Sequence, residues 1–432
     1  MRGLSVSHML AGAALLALPA GLGLARQATT VTAPVPSASQ ALVDRTVAAQ
    51  TVPGLLISIG RGDAPAEIHA AGNISNEPGA APVGPDSLWR VYSMTKPITG
   101  IAAMILVEEG KIRLDQPVSD FIPGFKTMRV LDDPEKSLAS HPATHPVTIR
   151  NLLTHTAGLG YNIITTGPLL DEYNRLGINP AAVNVAFEAK MRPVRPASLK
   201  EFADRVSTLP LIAEPGSKWS YSIGLDVMGR VIEVASGMPF DQFLQTRIFT
   251  PLKMHSSFFT VPRGEIPRFA TNYTTIGGKL VPLDVAASSV WLDPPSFPYG
   301  GAGLVMSARD YDRFLHMLLD GGSLDGVRIL KPETVQLAMS NLLPPGADTS
   351  ALKGLAGAQM GFGAGGSVYL SDAPNGPSKG TYGWAGAAGT LGWVDPVKRV
   401  RGVLMVNYFN LAAPESPLRA DTSKAVYTDL AR

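Results

Sequence analysis

The stretch that most constrains this chain is Val91-Tyr92-Ser93-Met94-Thr95-Lys96-Pro97, which runs into Ile98-Thr99-Gly100-Ile101-Ala102-Ala103-Met104-Ile105-Leu106. An apolar run of that length must be buried, and it predicts a helix that Gly110 ends. Pro97 removes a backbone N–H and fits only a first turn, so the helix has to begin just before it. Ser93 then lies at the N-terminal tip, with Lys96 one turn further on. Residues three apart share a helix face, so the hydroxyl and the amine can meet. A serine hydroxyl becomes a nucleophile when a neighbouring base takes its proton, and a desolvated lysine can be that base. The free N–H groups and positive potential of a helix tip favour an oxyanion. Ser-x-x-Lys alone is a weak sign, since a helix start with a solvated lysine has the same letters. A second copy, Ser350-Ala351-Leu352-Lys353, runs straight into Gly354 with no apolar helix behind it.

Composition closes several other routes. With 432 residues, 45% of them hydrophobic, the chain can bury one large domain or two intimately joined ones. Lys and Arg total 37 against 35 acidic residues, so there is no general polyanion-binding surface and nucleic acid is not an expected partner. The absence of cysteine excludes disulfides, thiolate metal sites and a cysteine nucleophile. The seven histidines include no His-Glu-x-x-His; His141 and His145 sit among Pro142 and Pro146, which predicts a loop and no metal site. Residues 1–28 read as a secretory signal: Arg2, then an Ala/Leu/Gly-rich apolar stretch from Met9 to Leu24, then small residues for cleavage between Ala20 and Ala28. This implies export to the periplasm or outside, with no stable membrane anchor after cleavage.

Taken in order, 29–39 is a Pro/Ser/Thr/Ala-rich tether, and Ala41 to Gln50 predicts a helix stopped by Pro53-Gly54. Leu55–Ile59 and Glu67–Ala70 predict a hairpin, and Leu88–Val91 leads into the Ser93 helix. Thr148 to Leu159 predicts a short helix that stops at a glycine. Within it, His155 is read as a histidine pinning a turn through backbone hydrogen bonds. From Gly160 to Pro298 the pattern is helical and irregular, with helices opening at Ser198 and spanning Gly224–Val234 and Phe240–Ile248. Another helix starts at Ser307. Strands return at Gly389–Val394 and Gly402–Val406, and a last helix runs from about Pro417 to Leu430. Strands at both ends with helices between predict an α+β fold: an antiparallel sheet from both chain ends, flanked by helices, with a helical domain inserted from the middle. The expected division is 40–159 plus 299–432 for the sheet domain and 160–298 for the insertion.

Two more stretches carry potential chemistry. Glu214-Pro215-Gly216-Ser217-Lys218-Trp219-Ser220-Tyr221-Ser222-Ile223-Gly224 is a loop entering a helix. A phenol held between a lysine and a serine can relay a proton, because a nearby cation favours the phenolate; an aromatic there also serves core packing. In Gly383-Trp384-Ala385-Gly386-Ala387-Ala388-Gly389-Thr390, small residues let the backbone lie close to a ligand and present an N–H to an oxyanion, or simply make a bend.

Together these motifs resemble the serine β-lactamase and penicillin-binding-protein superfamily, in its class C-like branch and specifically the family VIII carboxylesterases. The resemblance covers about residues 40–430 and rests on four separated stretches. They are Ser93-Met94-Thr95-Lys96; Pro215-Gly216-x-x-Trp219-x-Tyr221-Ser222; Leu152-Leu153-Thr154-His155-Thr156-x-Gly158-Leu159; and Trp384-Ala385-Gly386 with Trp393-Val394-Asp395-Pro396. The resemblance implies the β-lactamase/DD-peptidase-like fold, Ser93 as nucleophile, Lys96 with Tyr221 as its base, and the backbone N–H groups of Ser93 and Ala387 as the oxyanion hole. It implies no catalytic role for His155.

Departures from the pattern choose between activities. The Tyr-x-Asn of lactamases and peptidases is here Tyr221-Ser222-Ile223, and Ile223 offers no hydrogen bond. Tyr408-Phe409-Asn410 has the letters but follows a strand. The Lys-Thr-Gly stretch that grips a substrate carboxylate is replaced by Trp384-Ala385-Gly386, although Lys379 lies nearby in sequence. Such a site grips an anionic substrate poorly, because buried charge needs a partner. The expected activity is hydrolysis of neutral, short- to medium-chain esters through an acyl-enzyme, with Trp384, Ala385, Gly386 and Ile223 lining the substrate site. No metal or organic cofactor is expected, and the expected binding partner is a small-molecule ester. There is no Gly-x-Ser-x-Gly elbow. On the same scaffold the alternatives are a β-lactamase or D-amino-acid peptidase and an acyltransferase; a non-catalytic penicillin-recognising module is the remaining one.

Overall fold

In the computed structural model of the chain, the residues described are 37–352, 357–409 and 417–432. The signal segment 1–28 and most of the 29–39 tether lie outside them, as do Lys353 and Asn410.

The scaffold is a seven-stranded antiparallel sheet built from both ends of the chain. Its strands lie in the order Met360–Phe362, Ser367–Tyr369, Tyr382–Ala385, Leu391–Asp395, Val400–Met405, Gly54–Arg61 and Glu67–Gly72. The N- and C-terminal parts join where Gly54–Arg61 pairs with Val400–Met405, with Ile57 opposite Leu404. Side chains alternate faces along a strand. Accordingly Leu55, Ile57, Ile59, Val400 and Leu404 pack under one face, against Leu42 and Val43 of helix Ala38–Ala48 and Val426 of helix Pro417–Leu430. Leu56, Val403 and Met405 point the other way, into the main core with Tyr311 of helix Ala308–Leu319 and Met94. A one-residue slip in register would turn both sets to the wrong layer.

Helix Thr95–Glu108 runs through that main core, and every residue from Thr95 to Leu106 is buried. Each large apolar side chain buried there contributes about 1.5–3 kcal/mol. Pro97 sits in its first turn, where the N–H it lacks has no intrahelical acceptor. A three-stranded sheet of Leu88–Arg90, Val305–Ser307 and Ser257–Phe258 braces the approach to this helix. Arg90 there is fully buried and paired with the buried Asp284, with Asn407, Ser289 and the Ala270 carbonyl taking its remaining donors.

The middle of the chain contains helices Gly167–Arg175, Val185–Met191, Leu199–Val206, Gly224–Ser236 and Phe240–Leu244. Three sequence expectations differ from what is found. The helix expected over Thr148 to Leu159 covers only Ile149–Leu153, because His155 turns left-handed at φ 58° and ends it. The helix expected to reach Ile248 passes at Gln245 into a π-helical turn. The stretch Asn272–Ile276 and Lys279–Asp284 is a hairpin that the irregular, helical reading overlooked. Its two-residue turn, Gly277-Gly278, has both φ angles positive (57° and 77°), the geometry that matches strand twist.

Candidate active site

Ser93 lies in a 3₁₀ turn, Tyr92–Met94, that feeds directly into helix Thr95–Glu108. The residue before it, Tyr92, is held at φ 42°, a left-handed conformation that costs a bulky side chain energy. Its ring meets Trp291 and Phe409 edge-on, and its buried hydroxyl lies against the Asn272 amide. This packing holds the turn that carries Ser93.

Lys96 is fully buried, an expensive place for an ammonium unless it is partnered. Its Nζ donates to the Gly301 carbonyl at 2.8 Å and to Ser93 Oγ at 3.3 Å. It also lies 4.6 Å from the centre of the Tyr221 ring and 5.3 Å from that of Tyr161, so two π faces share the charge. Tyr221 Oη is 2.7 Å from Ser93 Oγ, and Trp384 Nε1 donates to the same phenol oxygen at 3.3 Å. The shared atom is therefore the serine oxygen: Lys96 and Tyr221 both bond to it, and the phenol is not interposed between lysine and serine. Ser93, Tyr221, Trp384 and Ala385 are half-buried, whereas Lys96 is sealed.

The turn after strand Tyr382–Ala385 docks against the segment before Ser93. Gly386 donates to the Thr390 carbonyl, and its own carbonyl accepts from Gly389 N–H and the Arg419 guanidinium. A Cβ on Gly386 would lie 2.1 Å from the Val91 carbonyl oxygen, so only glycine permits this approach two residues before Ser93. Ala387 is exposed, and among the described residues neither its N–H nor that of Ser93 has a hydrogen-bond acceptor.

Not every residue singled out from sequence faces the opening. Ile223 is fully buried at the start of helix Gly224–Ser236, its N–H donating to the Gly160 carbonyl. A side chain so placed shapes the core behind the site without reaching its surface. Lys379 is exposed, with its backbone N–H on Asp372. His141 is exposed beside Asp132 and Glu214. Among the described residues, one group has metal-ligand geometry, Asp63 with His316 and Asp320. Arg399 bonds both of its carboxylates, and none of the three belongs to the Ser93 constellation.

Sequence reasoning missed Asp226, a buried acid within electrostatic reach of Lys96. It is fully buried; Oδ1 accepts from Gly301 N–H at 2.8 Å, and among the described residues Oδ2 has no partner. Burial drives its carboxyl up to about 7, a rise that the Lys96 cation partly offsets. An acid set among the apolar residues of the first turns, Leu225-Asp226-Val227-Met228, was the available signal. Tyr161 was missed too; burial, then the nearby Tyr221 and Asp226, pushes its phenol well above the usual range. No described helix is long and apolar enough to cross a membrane.

The chain resembles known proteins over most of its length. The family model described as Beta-lactamase matches residues 40–425. Protein Rv1367c of Mycobacterium tuberculosis is 35% identical over 327 residues, covering 73% of this chain and 76% of that protein. Esterase EstB of Burkholderia gladioli is 31% identical over 370 residues, covering 80% of this chain and 84% of its own. Among solved structures, EstCE1, a hydrolase with promiscuous acyltransferase activity, superposes with a TM-score of 0.73 at 25% identity, over 90% of this chain and 97% of that one.

Proposed function

Because the chain belongs to the Beta-lactamase family, we propose that it is a serine carboxylesterase working through an acyl-enzyme, with Ser93 as nucleophile. The observation that carries the reading is the convergence of Lys96 Nζ and Tyr221 Oη on one oxygen, Ser93 Oγ, at 3.3 and 2.7 Å. Ser93 Oγ attacks the ester carbonyl and gives up its proton to the Lys96/Tyr221 pair. The carbonyl oxygen becomes an oxyanion between the N–H groups of Ser93 and Ala387, donors fixed in place before the reaction starts. As the tetrahedral intermediate collapses, the C–O bond to the alcohol breaks and the pair returns the proton to the departing alkoxide. Water then enters, loses a proton to the same pair and attacks the acyl carbon; Ser93 leaves with that proton and the acid is released.

The substrate side supports neutral, short- to medium-chain esters. Ile223, buried at the position where an amide would hold a lactam or peptide, contributes no hydrogen bond. Trp384 and Ala385, half-buried, stand where a cation and hydroxyl would grip a carboxylate, and Lys379 is directed to solvent on a backbone tied to Asp372. A short-chain nitrophenyl ester assayed beside a chromogenic cephalosporin tests this choice. Ester turnover should exceed lactam turnover by orders of magnitude, and the reverse order would sink the esterase reading. The similarity to EstCE1 favours acyl transfer as a second outcome of the same acyl-enzyme; added alcohol should then yield a new ester product. We further propose export to the periplasm or outside, supported by Arg2 and the apolar stretch from Met9 to Leu24. A mature N-terminus located before Ala20 or still at Met1 would contradict it.

A further inference from the structure

His155 lies outside the reacting group, yet it is fully buried against it and its contacts are concentrated on one neighbour. Its carbonyl accepts from Ser220 N–H at 2.9 Å, and its Nδ1 accepts from Ser222 N–H at 3.1 Å. These are the two peptide N–H groups on either side of Tyr221. The Ser222 hydroxyl lies 2.9 Å from the same Nδ1, and the imidazole centre is 4.9 Å from that of the Tyr221 phenol ring. One residue therefore holds the Tyr221 segment before, after and beneath the phenol.

The clasp is itself rigid. Helix Ile149–Leu153 opens on a capping box between Thr148 and Asn151, and the Asn151 amide reaches on to Thr156 Oγ1 at 3.0 Å. Thr154 and Thr156 bond to each other across His155, and the Thr156 carbonyl accepts from Gly216 N–H. These anchors hold His155 at φ 58°, and that left-handed turn aims both its carbonyl and its ring at the same loop.

Hydrogen bonding fixes the tautomer. A peptide N–H can only donate, so Nδ1 must present a lone pair and the ring proton resides on Nε2. Among the described residues Nε2 has no hydrogen-bond partner, and the imidazole ring packs against those of Trp219, Tyr221 and Phe362. Burial first, and the Lys96 cation second, hold the imidazole well below its usual basicity. A second proton on Nδ1 would set donor against donor at Ser222 and loosen the segment that carries Tyr221.

We infer that His155 is a positioning residue that acts as a neutral acceptor to hold the Tyr221 phenol on Ser93. This rests on the reading that Tyr221 belongs to the proton relay. The test compares His155→Asn with His155→Gly, since both residue types tolerate a left-handed backbone but only asparagine keeps an acceptor on the branch where Nδ1 sits. His155→Gly should lose about 10²-fold in kcat on a nitrophenyl ester with KM little changed, because misplacement by about an ångström costs on that order. Its pH–kcat profile should also shift, since the phenol would no longer be held on Ser93. His155→Asn should recover most of that loss. Wild-type kcat and pH profile in His155→Gly, alongside an impaired Tyr221→Phe, would overturn the inference alone. An unimpaired Tyr221→Phe would remove the reading beneath it. Should His155→Gly not fold, nitrogen NMR of wild-type histidine decides: a neutral ring protonated on Nε2 across about pH 5–8 is expected. A protonated Nδ1, or titration in that range, contradicts the inference.

Discussion

Two reactive hydroxyls meet at this site, and the chain delivers them in opposite ways. Ser93 and Lys96 are three residues apart, Ser93 in the 3₁₀ turn Tyr92–Met94 and Lys96 in the buried helix that continues it, so local structure alone brings them together. Tyr221 arrives across 128 residues, on a loop clasped by His155 and bonded by Trp384. Each arm contains a non-glycine residue in the left-handed region, Tyr92 directly before Ser93 and His155 beneath Tyr221. Such a conformation costs about 1–3 kcal/mol and persists only where surroundings enforce it. Behind Ser93 the enforcement is ring packing onto Trp291 and Phe409; under Tyr221 it is a chain of hydrogen bonds. The local arm is thus set by the fold's core, whereas the distant arm depends on a few polar contacts and should be the easier to detune.

Removing the local arm should have the largest effect. Ser93→Ala should lower kcat/KM by on the order of 10⁶-fold, the scale seen when other serine hydrolases lose their nucleophile. Circular dichroism should stay unchanged, and near wild-type turnover would place the nucleophile elsewhere. Lys96→Ala should be similarly severe. Cutting the distant arm should cost less: Tyr221→Phe keeps the ring that faces Lys96 and loses only the hydroxyl. A loss of about 10²–10⁴-fold is expected, the usual range for general acid–base groups. If Tyr221→Phe is as inactive as Ser93→Ala, the two arms are not different in kind.

The third effect concerns stability. Asp226 sits behind Lys96 with its carboxyl raised from an ordinary 3.8 to about 7. A raised carboxyl favours the folded state while it stays protonated. That contribution is complete below the unfolded value and is lost as pH rises through the folded one. At about 1.4 kcal/mol per unit, the stability of Asp226→Asn relative to wild type should improve by on the order of 4 kcal/mol between about pH 4 and pH 8. Denaturant midpoints for both proteins across that range provide the measurement, and parallel curves would show that Asp226 is ionised throughout.

How much of this was legible in sequence follows the same division. The Ser93–Lys96 pair and the buried helix rest on short-range periodicity and can be read from neighbouring letters, whereas the sheet joins strands from both chain ends, and its strands Met360–Phe362 and Ser367–Tyr369 were not read from sequence. Tyr221 was legible only through the joint occurrence of four separated motifs, since no local rule links it to Ser93. The hairpin across Gly277-Gly278 was readable from its turn but was hidden by the helical character of the segments before it. Asp226, Tyr161 and the clasp at His155 depend on tertiary neighbours. His155 was expected to pin a turn through backbone hydrogen bonds, and it does so, but which turn, and what that turn carries, emerges only when residues 155 and 220–222 are placed together.

The most direct test of the central claim is covalent. Treating the enzyme with a phosphonate or slow-turnover acyl ester, followed by intact-mass measurement and peptide mapping, reads out which oxygen becomes nucleophilic. One adduct per chain, on Ser93 and absent from Ser93→Ala, is the predicted result. An adduct on any other residue, or equal labelling of Ser93→Ala, would contradict it.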